Sequence, residues 1–300
     1  MTAARRSADG PRPASLPERA LWVNGALVRG KGAALSLFDR GARDGEGIFD
    51  TLRVYGGQPF RWMRHLERLV LAAAELGFPV PPAPATLRDG LARVLAANQL
   101  ADASARITVT RGVAGGRPTR TGCWIEAEPV AGRLWSGART GRASAAYSRR
   151  PFEPGPLGRY KTTSRLAYRL AHDEARAARV DEMLLVSAAG EVLEGATSNV
   201  FAVFGGEVLT PPLARGILPG IARAEVLFAC AALGIPAREA ALDRAALREA
   251  EEVFLTNSVQ EVVPLARLDG RALPARATGE RLLAAYREAV EREAPDPAAR

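Results

Sequence analysis

Short alternating apolar runs broken by paired glycines fill the first part of this chain, before the period lengthens to that of a helix. The run LWVNGALV (21–28) is apolar on both sides of Asn24-Gly25. That dipeptide tolerates the positive φ angles of a two-residue hairpin turn. GIFDTLRVYGGQPFRW (47–62) repeats the device around Gly56-Gly57. In MRHLERLVLAAAELGF (63–78), Leu66, Leu69, Val70, Ala73 and Leu76 recur at helical spacing and Gly77 ends the run. TLRDGLARVLAANQL (86–100) predicts a second helix, and ARITVTRG (105–112) and CWIEAEPV (123–130) predict strands.

A Pro/Gly/Arg stretch, SRRPFEPGPLGRY (148–160), separates the two halves. Beyond it, Thr162, Thr163 and Ser164 offer N-cap oxygens to a helix reaching about Ala178. EMLLVS, EVLEG, NVFAVF and EVLT read as strands, with Gly205-Gly206 as a hairpin turn. GILPGIARAEVLFACAALG is a glycine-rich loop opening a helix, DRAALREA a short amphipathic helix, and EEVFLTNSVQEVVPLARLDG a return to strand. LPARATGERLLAAYREAVERE closes the chain as a helix. The simplest arrangement is two α/β lobes joined near 133–155. The expected division is a mobile tail over 1–19, a small α/β domain over 20–135, a linker over 136–160 and a larger α/β domain over 161–300.

Composition narrows the function. Three hundred residues at 47% apolar content are ample for a core. No apolar run is long enough to cross a bilayer, and the opening MTAARRSADGPRPASLPERA lacks the apolar block of a secretory signal. Cys123 and Cys230 lie far apart with neither metal nor disulfide spacing, which points to a reducing cytoplasm. Two histidines, His65 and His172, argue against a histidine-based metal site, and His65 reads as structural. Net charge is +8, but the 33 acidic residues are dispersed among the cations and no basic run is interleaved with aromatics. A nucleic-acid role is therefore disfavoured. No G-x-S-x-G occurs to suggest a hydrolase.

The chemistry enters with lysine. Of 41 Lys plus Arg, only Lys31 and Lys161 are lysines. Lys31, between glycines in RGKGAAL, reads as a solvated turn residue. Arginine replaces lysine wherever a surface charge suffices, but not where a nucleophilic amine must form a Schiff base.

Around Lys161, EGATSNVFAVFGGEVLTPPLARGILPGIAR (194–223) resembles the signature of the class IV aminotransferase family, the fold-type IV pyridoxal-phosphate enzymes. GEGIFDTLRVYGG, RHLERL and EEVFLTNSVQEVVP extend the resemblance over roughly residues 21–273. It implies two α/β lobes with the cofactor between them, and a homodimer with the active site near the subunit interface. Lys161 would form the Schiff base with pyridoxal phosphate and then move the substrate's Cα proton. Glu194 would face the pyridine nitrogen and keep the ring protonated. Arg68, the backbone of Gly220, Ile221 and Ala222, and the hydroxyl of Ser258 would cradle the phosphate, while Leu218 packs on the ring. Many relatives carry Thr where this chain has Ala222, and branched-chain enzymes carry a tyrosine a few residues after the lysine, where this chain reads KTTSRL.

Thr51 in IFDTLR, the run FLTNSVQEVVP and the loop TRGVAGGRP, with Pro118 where glycine is commoner, resemble 4-amino-4-deoxychorismate lyase. That reaction releases pyruvate and 4-aminobenzoate, with Thr51 assisting proton placement. The alternative is an aminotransferase using a D-amino acid, a branched-chain amino acid or an (R)-amine with a 2-keto acid. Arg111, Arg117 and Arg43 are then candidates for the substrate carboxylate. Arg43 lies in DRGARDGEG, where Asp44 replaces the family's usual aromatic. Keeping Lys161, Glu194 and Arg68 together speaks against a decayed, non-catalytic scaffold.

Overall fold

In the computed structural model, which describes residues 18–113 and 122–294, Asn24 and Gly25 turn the chain with φ angles of 48° and 99°. They join β1 (Leu21–Val23) to β2 (Ala26–Val28). A short helix, α1 (Arg40–Arg43), precedes the long strand β3 (Gly47–Tyr55), which turns through Gly56-Gly57 into β4 (Gln58–Pro59). Helices α2 (Trp62–Glu75) and α3 (Pro84–Ala97) follow, then β5 (Ala103–Thr110) and β6 (Cys123–Pro129). The strands make one six-stranded antiparallel sheet in the order β2-β1-β6-β5-β3-β4.

One face of this sheet is covered by α2 and α3. Ile48, Leu52 and Val54 meet Leu66, Leu69 and Leu91 in a single apolar cluster. The inner face of α2 is rotated from the expected one: Trp62, His65 and Ala72 are buried, whereas Val70 is 44% exposed. The reason is angular. Once Leu66 and Leu69 dock, the 3.6-residue period carries Ala72 and Ala73 inward and turns Val70 out.

The second lobe starts with α4 (Ser136–Arg139) and β7 (Ser144–Tyr147), inside the stretch expected as linker. It continues with α5 (Leu166–Ala178), β8 (Glu182–Val186), β9 (Glu191–Gly195), β10 (Asn199–Phe204) and β11 (Glu207–Thr210). Helix α6 (Ile221–Ala232), β12 (Ala237–Glu239), β13 (Leu242–Asp243) and α7 (Arg244–Glu249) come next. The end of the chain supplies β14 (Glu252–Asn257), β15 (Glu261–Pro264), β16 (Arg267–Leu268), β17 (Arg271–Ala272) and α8 (Ala277–Glu293). Two sheets result, β12-β11-β10-β14-β15 and β13-β9-β8-β7-β16-β17. Alternation along β10 decides the layering. Val200 and Ala202 join Leu184 and Val186 between the sheets, while Phe201 and Val203 turn outward onto α6 and α8. Helix α5 covers the outer face of the other sheet through Ala171 and Ala175.

The hydroxyls expected to cap α5 do something else. Thr163 Oγ1 and Ser164 Oγ both donate to Gly45 O, at 2.9 Å each, so they tie the segment after Lys161 to the first lobe. A second inter-lobe link is a buried carboxylate. Glu261 accepts from Arg53 and Tyr55 of β3 at 2.9 Å each, and from Arg287 of α8 at 2.9 Å. Arg53 also donates to Val259 O at 3.0 Å, which fixes the 257–260 loop against the first lobe.

Candidate active site

Lys161 is held by strand-like bonds to the start of β3. Phe49 N–H donates to Lys161 O at 2.8 Å, and Thr163 N–H to Gly47 O at 2.7 Å. A Cβ at residue 47 would lie 2.7 Å from Thr163, so glycine permits this approach. The amine sits 5.3 Å from the centre of the Phe49 ring. Burial, then the nearby cations Arg165 and Arg68, push it down to about 7, against the opposing pull of Asp50 and Glu194. A lysine in that range is present in good part as the nucleophilic free amine near neutral pH.

Arg68 lies on one side of this amine. Its Nε and Nη2 each donate to Asp50 at 2.8 Å, and its Nη1 donates to Pro219 O at 2.9 Å. His65, one turn earlier on α2, holds Asp50 Oδ1 through Nδ1 at 2.8 Å. Burial alone would raise the Asp50 carboxyl, but Arg68 and His65 outweigh it and hold it well below the usual carboxylate range. Burial depresses His65 despite Asp50, so the ring is neutral and donates its Nδ1–H. Pro219 leads into α6, whose N-cap, Gly220, makes no side-chain capping bond. A Cβ at Gly220 would lie 2.0 Å from Asn199 Oδ1, so the bare backbone is required there. The first N–H groups of α6, at Ile221 and Ala222, are thus left for an anion. Ser258 stands in the loop shaped by Asn257 Oδ1, which accepts from Val259 N and Gln260 N.

Glu194 lies on the other side, at the end of β9. Its oxygens accept from Tyr168 OH at 3.2 Å and from Leu218 N at 3.1 Å. Asn199 Nδ2 donates to Leu218 O at 3.0 Å, which fixes that loop. Burial pushes the Glu194 carboxyl up to about 7, although the Leu218 N–H, Arg165 and Tyr168 all favour its charge. A carboxylate made costly by burial is well suited to a cationic N–H partner.

The sequence matches the family described as amino-transferase class IV over residues 47–268. This chain belongs to that family. A putative branched-chain-amino-acid aminotransferase of Methanocaldococcus jannaschii is 33% identical over 87% of this chain and 91% of its own length. A D-alanine aminotransferase of Listeria monocytogenes is 29% identical over 83% of this chain and 87% of its own. Among solved structures, the branched-chain aminotransferase of the thermophilic archaeon Thermoproteus uzoniensis with norvaline superposes with a TM-score of 0.81. It is 28% identical, and the match covers 93% of this chain and 97% of that one. The fold is that of the fold-type IV aminotransferases.

Class IV aminotransferases depend on pyridoxal phosphate, and the groups gathered here fit it. An amine, a buried carboxylate and an anion cradle are what an aldehyde, a pyridine nitrogen and a phosphate require. Of the residues expected in this class IV site, Arg68 and Glu194 both act on the Lys161 amine, Leu218 N–H reaches Glu194, Gly220, Ile221 and Ala222 follow the Pro219 carbonyl that Arg68 holds, and Ser258 lies in the loop that Arg53 ties to the first lobe. Thr51 joins them on the face of β3 that carries Phe49, the face opposite α2.

The arginines expected to meet a substrate carboxylate fare differently. Arg111 is occupied by Glu46 at 3.1 Å and Leu76 O at 2.6 Å, and it lies over Phe78. Arg43 ends α1 with its side chain exposed. Arg117 lies outside the described residues. Instead the structure brings Arg106 of β5 directly opposite Thr51, its guanidinium 3.7 Å from the centre of the Phe49 ring. Sequence reasoning missed Arg106, Asp50, Arg165 and Tyr168. Two of them left a trace: Asp50 interrupts the core-facing series Ile48, Leu52, Val54, and Arg106 is the one charged residue of its strand.

Proposed function

We propose that this class IV aminotransferase moves an amino group between an amino acid and a 2-keto acid, with Lys161 as base and Arg106 meeting a substrate carboxylate. The observation that carries the reading is one amine held near 7 and one arginine on the same ring, 5.3 and 3.7 Å from the centre of Phe49. The names of its relatives, branched-chain-amino-acid and D-alanine aminotransferase, support the same reaction.

Bound pyridoxal phosphate supplies the electron sink that makes the Cα proton removable. Lys161 Nζ takes that proton and returns it nearby, a shift one mobile amine can perform. Glu194 holds a proton at the ring nitrogen, and Tyr168 and Leu218 N–H keep its carboxylate aimed. Arg68, the α6 N-terminus and Ser258 anchor the phosphate, so the reacting atoms stay within reach of Lys161. The Phe49 ring beside the amine shields it from water on that side.

The second reading is 4-amino-4-deoxychorismate lyase, favoured by Thr51, whose hydroxyl shares the Phe49 face and offers a proton relay. The test is the visible spectrum of the protein with pyridoxal phosphate, recorded while D-alanine, D-glutamate, L-leucine or L-glutamate is added without a keto acid. Conversion to the pyridoxamine form within seconds is expected. A band that stays unchanged with each of them, with pyruvate released from aminodeoxychorismate, would hand the assignment to the lyase.

The same reading includes a homodimer and a cytoplasmic enzyme. Leu37 and Phe38, 83% and 67% exposed, support a covered surface, and two buried free thiols, Cys123 and Cys230, suit a reducing compartment. Sedimentation across a concentration series decides the first.

A further inference from the structure

The chemistry of pyridoxal phosphate fixes three points around its ring. The carbon that bonds the lysine and the ring nitrogen lie opposite one another, and the phosphate arm leaves from one of the two edges between them. In this chain those points correspond to Lys161, to Glu194 and to the cradle of Arg68, Gly220 and Ser258. The remaining edge carries the phenolic oxygen, an acceptor that is anionic when a cation stands beside it.

Arg165 reaches the site from the start of α5, whereas the cradle is built by α2, α6 and the Ser258 loop. Its guanidinium lies 3.6 Å from the centre of the Tyr168 ring, and Tyr168 OH donates to Glu194. The same guanidinium is 6.0 Å from the centre of the Phe49 ring, over which the Lys161 amine sits at 5.3 Å. Arg165 therefore stands between the lysine end and the carboxylate end. It is held in place from behind: Tyr168 packs edge-on against Phe152, with ring centres 4.8 Å apart. Its guanidinium bonds the Tyr168 side chain and acts on Glu194 through space, and among the described residues it makes no direct salt bridge.

We propose that Arg165 is a cofactor-binding residue whose guanidinium meets the phenolic oxygen of pyridoxal phosphate. A planar, permanently charged fork stacked on an aromatic ring is preorganised for an oxyanion in a way that a lysine is not. The depressed Lys161 amine agrees, because after burial Arg165 is the largest influence on it. The assignment holds for either reaction above, since both use the same cofactor.

Arg165 is one of several charged groups around the Lys161 nitrogen. Arg68 of α2, Asp50 of β3 and Glu194 of β9 face it as well, with neutral His65 behind Asp50. Arg106 of β5, with Glu126 of β6 at 4.0 Å, lies across Phe49. Removing Arg165 takes one positive charge from this set, so the lysine nitrogen bound to the cofactor protonates more easily.

The experiment is a pH titration of the visible band of the holoprotein, together with cofactor affinity measured by fluorescence quenching, for wild type, Arg165→Met, Arg165→Lys and Tyr168→Phe. Arg165→Met is expected to weaken cofactor binding about tenfold or more and to raise the spectral midpoint by about one pH unit. Arg165→Lys should recover most of the midpoint, because the charge returns, and only part of the affinity. Wild-type affinity and midpoint in Arg165→Met would overturn the proposal. So would Tyr168→Phe reproducing both changes, since the effect would then run through the Tyr168 hydroxyl and its bond to Glu194 and not through the Arg165 charge. A wild type that forms no visible band would instead count against cofactor binding as a whole.

Discussion

Asp50 and Glu194 are both buried carboxylates acting on the Lys161 amine, and their surroundings treat them in opposite ways. Asp50 is gripped by Arg68 and His65 and held well below the usual range. Glu194 has a hydroxyl and one backbone N–H as its hydrogen-bond donors, and burial lifts it to about 7. The proposed phosphate end completes its own charge balance before any ligand arrives. The proposed ring end leaves an acid underpaired, and a protonated pyridine nitrogen would satisfy it. Rigid anchoring at one end and ligand-dependent charge at the other is a sensible division for a cofactor that must be fixed by its phosphate and tuned at its ring.

Removing the charge at the compensated end should have the largest effect. Asp50→Asn leaves Arg68 partly buried without its bidentate partner, at an expected cost of about 3 kcal/mol in denaturant unfolding of the apoprotein. A loss well under about 1 kcal/mol would mean that Arg68 does not depend on Asp50.

At the other end the sign reverses, and pH reveals it. A carboxyl whose folded pKa is raised favours folding below its unfolded value of 4.5, and that advantage is lost as pH rises through about 7. Glu194→Gln removes this dependence. The apoprotein variant should match wild type near pH 4 and become more stable than it by about 3 kcal/mol above pH 7, while transamination falls by at least about a hundredfold. Equal stability of the two proteins across that range would break the contrast with Asp50.

Single hydroxyls give the smallest effects. Ser258→Ala should weaken cofactor binding about fivefold without moving the spectral midpoint, because it touches the phosphate end alone. Tyr168→Phe should lower affinity by a similar amount, since it removes one hydrogen bond to Glu194. A midpoint shift in Ser258→Ala would show that the two ends are coupled.

Most elements were legible because they rest on local rules. Paired glycines at 56–57 and 205–206 adopt positive φ, and the unbroken apolar runs of β10 and β14 mark strands buried on both sides. Short segments such as β7, β12 and β13 escaped, since a few residues carry too little periodicity to stand out from a loop. Lys161 stood out through rarity, and Arg68, Glu194 and Ser258 were expected through resemblance. Asp50 and Arg106 were only faintly legible, Asp50 as a charge on the apolar face of β3 and Arg106 as the one charged residue of β5.

The sequence by itself determined the family and singled out Lys161, because each is written in contiguous residues or in composition. Tertiary structure alone decided which arginines reach the cleft. Arg111 was expected at the substrate carboxylate and Arg106 was not, yet Arg111 is tied to Glu46 and Leu76 O while Arg106 stacks on Phe49 beside Lys161. That choice depends on strand register and on which face of the sheet is covered. Both are set by pairings between residues far apart in the chain, where a shift of one residue would send every side chain to the other face.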